Sequence, residues 1–303
     1  MVMQRTICTE ISCRGVGVHS GETVTLKFCP AKENIGVVFR RIDLDPVVAI
    51  AATVENVGDT VLSTCLVKDN VRVSTIEHLM AAIAGLGIDN IYIDINSSEV
   101  PIMDGSAAPF VFLLQSAGIE EQQAHKKFIV IKKKVEAALD DKYCSLEPWN
   151  GFKLSFRIDF DHPAFNEENQ NFDFNFSSSS FQAELCRART FGFYHQFEYL
   201  KKNNLVRGGS LKNAIVFDEN TYMNKDPLRM EKEPVVHKVL DVIGDLSLMQ
   251  GRIIGAFTGI KSGHMLNNML LKKLLDSPDC WQEMIFDCPN EIPISYFEPV
   301  IAA

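Results

Sequence analysis

The chain has 303 residues, 46% hydrophobic and 23% charged, the balance of a globular protein rather than a disordered, collagen-like or coiled-coil one. Thirty Lys and Arg stand against 39 Asp and Glu, a net charge of −9, and no basic arm is present, so duplex nucleic acid is not an expected partner. The longest strictly apolar stretch, Leu79 to Ile88, covers about ten residues against the ~20 that span a bilayer, and two domains are expected at this length.

The first 70 residues read as strands. Val24 to Phe28 alternates after the turn signal Ser20-Gly21, and Gly36 to Arg40 and Val61 to Val67 follow suit. Ser74 begins a helix, with Glu77 in capping-box spacing, that runs through Ala84 and stops at Gly85 and Gly87. Asn90 to Ile95 is a strand and Ala108 to Ala117 a second helix; the polar stretch Glu120 to Lys127 reads as a linker. Strands resume at Phe128 to Val135, Tyr143 to Leu146 and Phe152 to Phe160, whereas serine-rich Phe172 to Ser180 is a loop or an edge strand. Residues 181–220, with their Gly- and Asn-marked turns, form an inserted excursion. Val235 to Met249 is a helix, Arg252 to Phe257 a strand and Gly263 to Leu275 a helix, so the second unit repeats the order of the first. Placing His78 on His237 puts Gly85 on Gly244, a hint of duplication.

Cysteines at 8, 13, 29, 65, 144, 186, 280 and 288 form no CxxC pair, zinc ribbon or disulfide framework. The opening residues Met1 to Cys8 carry no apolar run before a small-residue cleavage site. Reduced thiols in a cytoplasmic protein are therefore expected.

Chemistry concentrates around residue 237. His237, Asp241 and Asp245 stand at i, i+4 and i+8, drifting only ~40° per step, so they share one helix face between Val239, Leu240, Val242 and Ile243. A His and two Asp in so apolar a stretch call for a cation or donors nearby; a solvated polar stripe would produce the same spacing. Glu77-His78 opens the most apolar helix, where a charged pair is usually pushed outward, although a capping Glu77 would also account for it. Together His78, His237 and Asp241 leave a fourth position open, the pattern of a catalytic rather than a structural zinc site. Lys261-Ser262-Gly263-His264 lies at the mouth of the last long helix, where amides favour anions and a capping histidine is equally at home. Arg187-Ala188-Arg189-Thr190-Phe191-Gly192-Phe193 joins cations and a hydroxyl to aromatics, suiting a polar head beside an apolar tail, or an ordinary edge strand.

With Pro101-Ile102-Met103-Asp104-Gly105-Ser106-Ala107, these motifs resemble the UDP-3-O-acyl-N-acetylglucosamine deacetylase family of lipid A biosynthesis in Gram-negative bacteria. The similarity runs in order from Gly15 to Trp281. It implies an α+β fold of two similar domains, 1–125 and 126–303, each with helices packed inward and a small insert, the second insert lying around 185–220. It assigns zinc, or Fe(II) on the same ligands, to His78, His237 and Asp241. Glu77 would be the general base, His264 a protonated general acid oriented by Asp245, and Thr190 a partner of the oxyanion. Lys238 and Lys261 would meet the head of an acylated UDP-sugar, and Phe160 its uracil. Phe191, Phe193, Ala214 and Val216 would line the acyl passage. A monomer in transient contact with the inner membrane is implied, and Cys65 would lie by the site without acting in it. The same ligands would suit a facial triad for non-haem Fe(II), and the aromatic insert a lipid-binding module, but the latter has no use for Glu77 or His264.

Overall fold

The computed structural model describes residues 2–288 and 291–298. Alternation in Thr23–Pro30 buries Val24, Leu26 and Phe28 on one side of a five-stranded sheet. Its strands run in the order Ile11–Val16, Thr23–Pro30, Ile91–Ile95, Val37–Arg41 and Val48–Ala51. A second sheet has seven strands, centred on Arg252–Ile260, which pairs with Phe128–Ile131, Lys142–Glu147 and Phe152–Arg157. Among the described residues there are six α-helices: α1 (Glu77–Gly85), α2 (Ala108–Ser116), the single turn α3 (Ser178–Ser180), α4 (Tyr194–Lys202), α5 (Glu233–Leu246) and α6 (His264–Leu275). The fold is α+β. No helix among the described residues is long and apolar enough to cross a membrane.

All nine residues of α1 are buried, and its main partner is α5. The two helices meet where Gly244 of α5 passes under the start of α1; α5 packs its remaining faces on α6 and on Phe152–Arg157 and Asn171–Asn175. The chemistry-bearing first turn of α1 is thus pressed against the middle of α5.

Several sequence expectations change. Glu120 to Lys127 is not a linker: Ile119–His125 is a strand antiparallel to Met3–Ile7. Side-chain amides bind this ribbon, Gln122 accepting from Asn90 at 2.7 Å, so it needs no apolar alternation. Lys126 at its end is fully buried, donating to the Gly87 carbonyl and the Asp89 carboxylate. Val61 to Val67 is a strand only from Leu66, because Leu62 has φ +59° and the preceding chain bends outward. Ser74 does not cap α1. Its hydroxyl donates to the Ser98 carbonyl, Thr75 turns the chain at φ +59°, and the helix begins at Glu77 without a side-chain cap.

The strand expected over Phe128 to Val135 breaks after Ile131, where the backbone amides of Lys132 and Lys133 donate to the Cys280 carbonyl. Asn171–Asn175 is an edge strand, followed by a turn that Ser177 and Ser180 cap reciprocally. In the excursion, Phe191–Phe193 and Ile215–Phe217 pair in parallel with α4 between them, a small βαβ unit.

Candidate metal and active site

His237, Lys238, Asp241 and Asp245 come from α5, Glu77 and His78 from the first turn of α1, and His264 from the first position of α6. All but Lys238 and His264 are at least nine-tenths buried. Asp241 Oδ1 lies 3.4 Å from His237 Nε2 and 3.6 Å from His78 Nε2. Two ligands held at ~2.0–2.1 Å in a tetrahedron stand about 3.3 Å apart, so this spacing suits one small cation. The three ligand atoms lie within 4.8 Å of one another, the one such group of three among the described residues.

Protonation favours the same reading. His237 Nδ1 faces the Ala188 carbonyl at 3.0 Å, an acceptor only, so Nδ1 carries the proton and Nε2 offers its lone pair inward. Burial, outweighing Asp241, pushes the His237 imidazole down to about 3 and keeps it neutral. Burial alone would raise Asp241, but above all the Lys238 ammonium beside it holds it well below the usual carboxylate range. Lys238 donates to Asp241 Oδ2 at 2.7 Å, whereas the buried Oδ1 has no hydrogen-bond partner. An ionised, orphaned oxygen facing the Nε2 atoms of His78 and His237 is costly unless a cation meets it.

Glu77 and His264 flank this group. Glu77 Oε1 lies 3.9 Å from His264 Nε2, and burial raises the Glu77 carboxyl against the pull of both nearby histidines. His264 Nδ1 lies 2.9 Å from Asp245 Oδ2. Burial pulls this imidazole down, but the Asp245 and Glu77 carboxylates outweigh it and raise it to about 9.

The remaining expected residues fall into three settings. Thr190 stands beside the Gly105 turn, its amide donating to the Gly105 carbonyl at 2.8 Å. Phe160 joins Phe191 and Phe193 in one aromatic cluster, at centroid distances of 5.7 and 5.1 Å, with Val216 in the adjoining strand. Ala214 precedes that strand, its carbonyl accepting from Asn224. Lys261 stands apart from the metal group, paired with Asp141 at 2.8 Å and Asp159 at 2.5 Å. Arg189, grouped above with head-binding cations, is committed elsewhere: it pairs with fully buried Glu233 at the start of α5. That pair anchors the segment whose Ala188 carbonyl holds His237. Cys65 is buried and its thiol is pushed up by burial, away from nucleophilic character.

The profile of the family described as UDP-3-O-acyl N-acetylglycosamine deacetylase matches residues 4–276. The chain belongs to this deacetylase family. Two proteins of Coxiella burnetii, from strains CbuK_Q154 and Dugway 5J108-111, are each 56% identical to it over 296 residues. The matches cover 98% of this chain and 98% of each relative, and both relatives are named UDP-3-O-acyl-N-acetylglucosamine deacetylase.

Sequence reasoning missed three residues of this candidate site. Glu233 and Asn267, the latter donating to Asp245 Oδ2 at 2.8 Å, lie in helices already singled out. Thr64 carried no signal at all: it lies 13 residues from Glu77 and 181 from Asp245, yet bonds to both.

Proposed function

We propose that the chain hydrolyses the acetamide of UDP-3-O-acyl-N-acetylglucosamine to acetate and the free amine, a step of lipid A biosynthesis, as a zinc enzyme. The observation that carries the metal reading is Asp241 Oδ1, buried, ionised and unpartnered opposite the Nε2 atoms of His78 and His237. Fe(II) would suit the same ligands. A divalent metal bound there would polarise the acetamide carbonyl and make a water easier to deprotonate.

The chain's own groups divide the proton work. Glu77 accepts the proton of the attacking water at Oε1, its other oxygen being held by the Thr64 amide. His264, kept charged by Asp245 and Glu77, gives a proton to the amine nitrogen as the C–N bond breaks. The Thr190 hydroxyl helps hold the oxyanion. Lys238 keeps Asp241 ionised and can turn remaining donors to the substrate head, which Lys261 reaches by exchanging its carboxylates. Phe160 stacks against uracil, and Phe191, Phe193, Ala214 and Val216 line the acyl passage. Residues 1–125 and 126–303 are the two domains, and the chain works as a cytoplasmic monomer that touches the inner membrane of a Gram-negative cell only transiently.

The test combines metal analysis with acetate release. Purified protein should hold about one divalent metal per chain, lose activity on chelation and regain it with Zn(II). His237→Ala should lower occupancy sharply. Full metal and full activity in that variant would overturn the ligand assignment.

A further inference from the structure

We infer that Thr64 is a positioning residue that sets the base and the acid of the site in one register. Each of its polar groups is spent on the two central helices. Its amide donates to Glu77 Oε2 at 3.1 Å, and its hydroxyl donates to Asp245 Oδ1 at 2.6 Å. Its carbonyl accepts from the Ile76 amide at 3.4 Å, at the otherwise uncapped start of α1. One buried residue thus touches the carboxylate that takes the proton and the carboxylate that orients the donor. This role rests on the deacetylase mechanism proposed above.

The geometry shows why a threonine serves. Asp245 Oδ2 already accepts from His264 and Asn267, leaving Oδ1 for the Thr64 hydroxyl. Without that donor a buried carboxylate oxygen loses its partner, and the carboxylate is free to rotate away from His264. The branched Cβ restricts χ1, so hydroxyl and amide stay aimed at different helices. The 61–65 bend, closed by the Cys65 amide on the Asp59 carbonyl at 3.0 Å, brings the residue there.

The experiment compares Thr64→Val, Thr64→Ser, Asp245→Asn and the Thr64→Val/Asp245→Asn double variant, with kcat, KM and metal content measured for each. Thr64→Val keeps shape and amide and should lower kcat about 10- to 100-fold, the rate equivalent of one hydrogen bond to a charged group. KM should move by less than about threefold and metal content should stay at the wild-type level, because neither the head contacts nor the ligands change. Thr64→Ser should restore kcat to within about threefold of wild type. The double variant should lose little beyond Asp245→Asn alone, because the hydroxyl acts through that carboxylate. Should Thr64→Val not fold, Thr64→Ala read against Thr64→Ser makes the same comparison. Wild-type kcat in Thr64→Val, a serine variant as poor as valine, or losses that multiply in the double variant would each overturn the inference. If Asp245→Asn and Glu77→Ala are themselves silent, the proposed mechanism has failed instead.

Discussion

Gly244 passes so close beneath Glu77 that a Cβ at position 244 would lie 2.1 Å from the Glu77 carbonyl oxygen. Backbone cannot yield as a flexible side chain does, so any larger residue must push α5 and α1 apart. That shift would separate His237 and Asp241 from Glu77 and His78. Gly244→Ala should therefore cost about 1–3 kcal/mol or more and lower kcat/KM at least tenfold, measured by denaturant melts and acetate release. Gly192→Ala, where a Cβ meets nothing within 4 Å, should stay within about 0.5 kcal/mol of wild type. Equal stability of the two variants would show that the helix contact is looser than described.

Glu77 and the metal ligands should separate in experiment. Glu77→Ala removes a proton acceptor without removing a ligand, so it should keep the metal while kcat falls about 10²–10⁴-fold. Asp241→Ala should lose both. Wild-type turnover in Glu77→Ala would remove the base from the mechanism.

The pH profile follows from His264. Its imidazole is raised to about 9 from an ordinary 6.5, so it is charged at neutral pH and loses its proton near 9. A raised imidazole contributes stability fully present below about 6.5 and lost as pH climbs through about 9. The basic limb of the rate profile should lie near 9, and Asp245→Asn should move it toward neutrality. An unmoved limb in that variant would detach it from His264.

Helical spacing made the site's core legible. His237 and Asp241 at i,i+4 and the Glu77-His78 pair could be read from sequence because each lies in an apolar helix where a polar face stands out. Gly85 and Gly244 were visible as a pair, and both prove to be points of close approach, to Phe181 and to Glu77. Thr64 was not legible, since it reaches the site through a bend with φ +59° at Leu62, which no periodicity reports. Lys126 looked like linker for the opposite reason: a buried lysine held by a carbonyl, a carboxylate and the Tyr296 ring has the composition of a surface. Arg189 misled similarly, because its partner Glu233 lies 44 residues away.

Lys126 should oppose His264 in alkaline solution. Burial lowers its ammonium to about 8 although Asp89 pulls the other way. The unfolded chain binds this proton more tightly, so the group's penalty is full below about 8 and fades as pH rises toward 10.5. Lys126→Met should remove that alkaline gain, and Asp89→Ala, which leaves the cation unpaired, should cost about 3–5 kcal/mol. Denaturant melts at pH 7 and pH 10 measure both. A wild-type-like slope in Lys126→Met would assign the alkaline trend to another group.

The last prediction concerns the aromatic unit. Phe193 lies 5.1 Å from Phe160 and 5.7 Å from Phe217, and Phe191 and Phe193 are only half-buried, so apolar surface remains for a chain to cover. Each methylene that it buries should add up to ~0.8 kcal/mol of binding until the passage is full. The 3-O-acylated sugar nucleotide should then be deacetylated far better than UDP-N-acetylglucosamine, which offers the same amide and diphosphate without the chain. Ala214→Trp should narrow the passage and penalise long acyl chains, leaving the weak reaction on the unacylated sugar nearly untouched because Glu77, His264 and the ligands are unaltered. Comparison of kcat/KM for the two substrates on both proteins decides it. Equal values on the wild-type enzyme would take the acyl chain out of recognition, and an equal loss on both substrates in Ala214→Trp would place residue 214 against the sugar head instead.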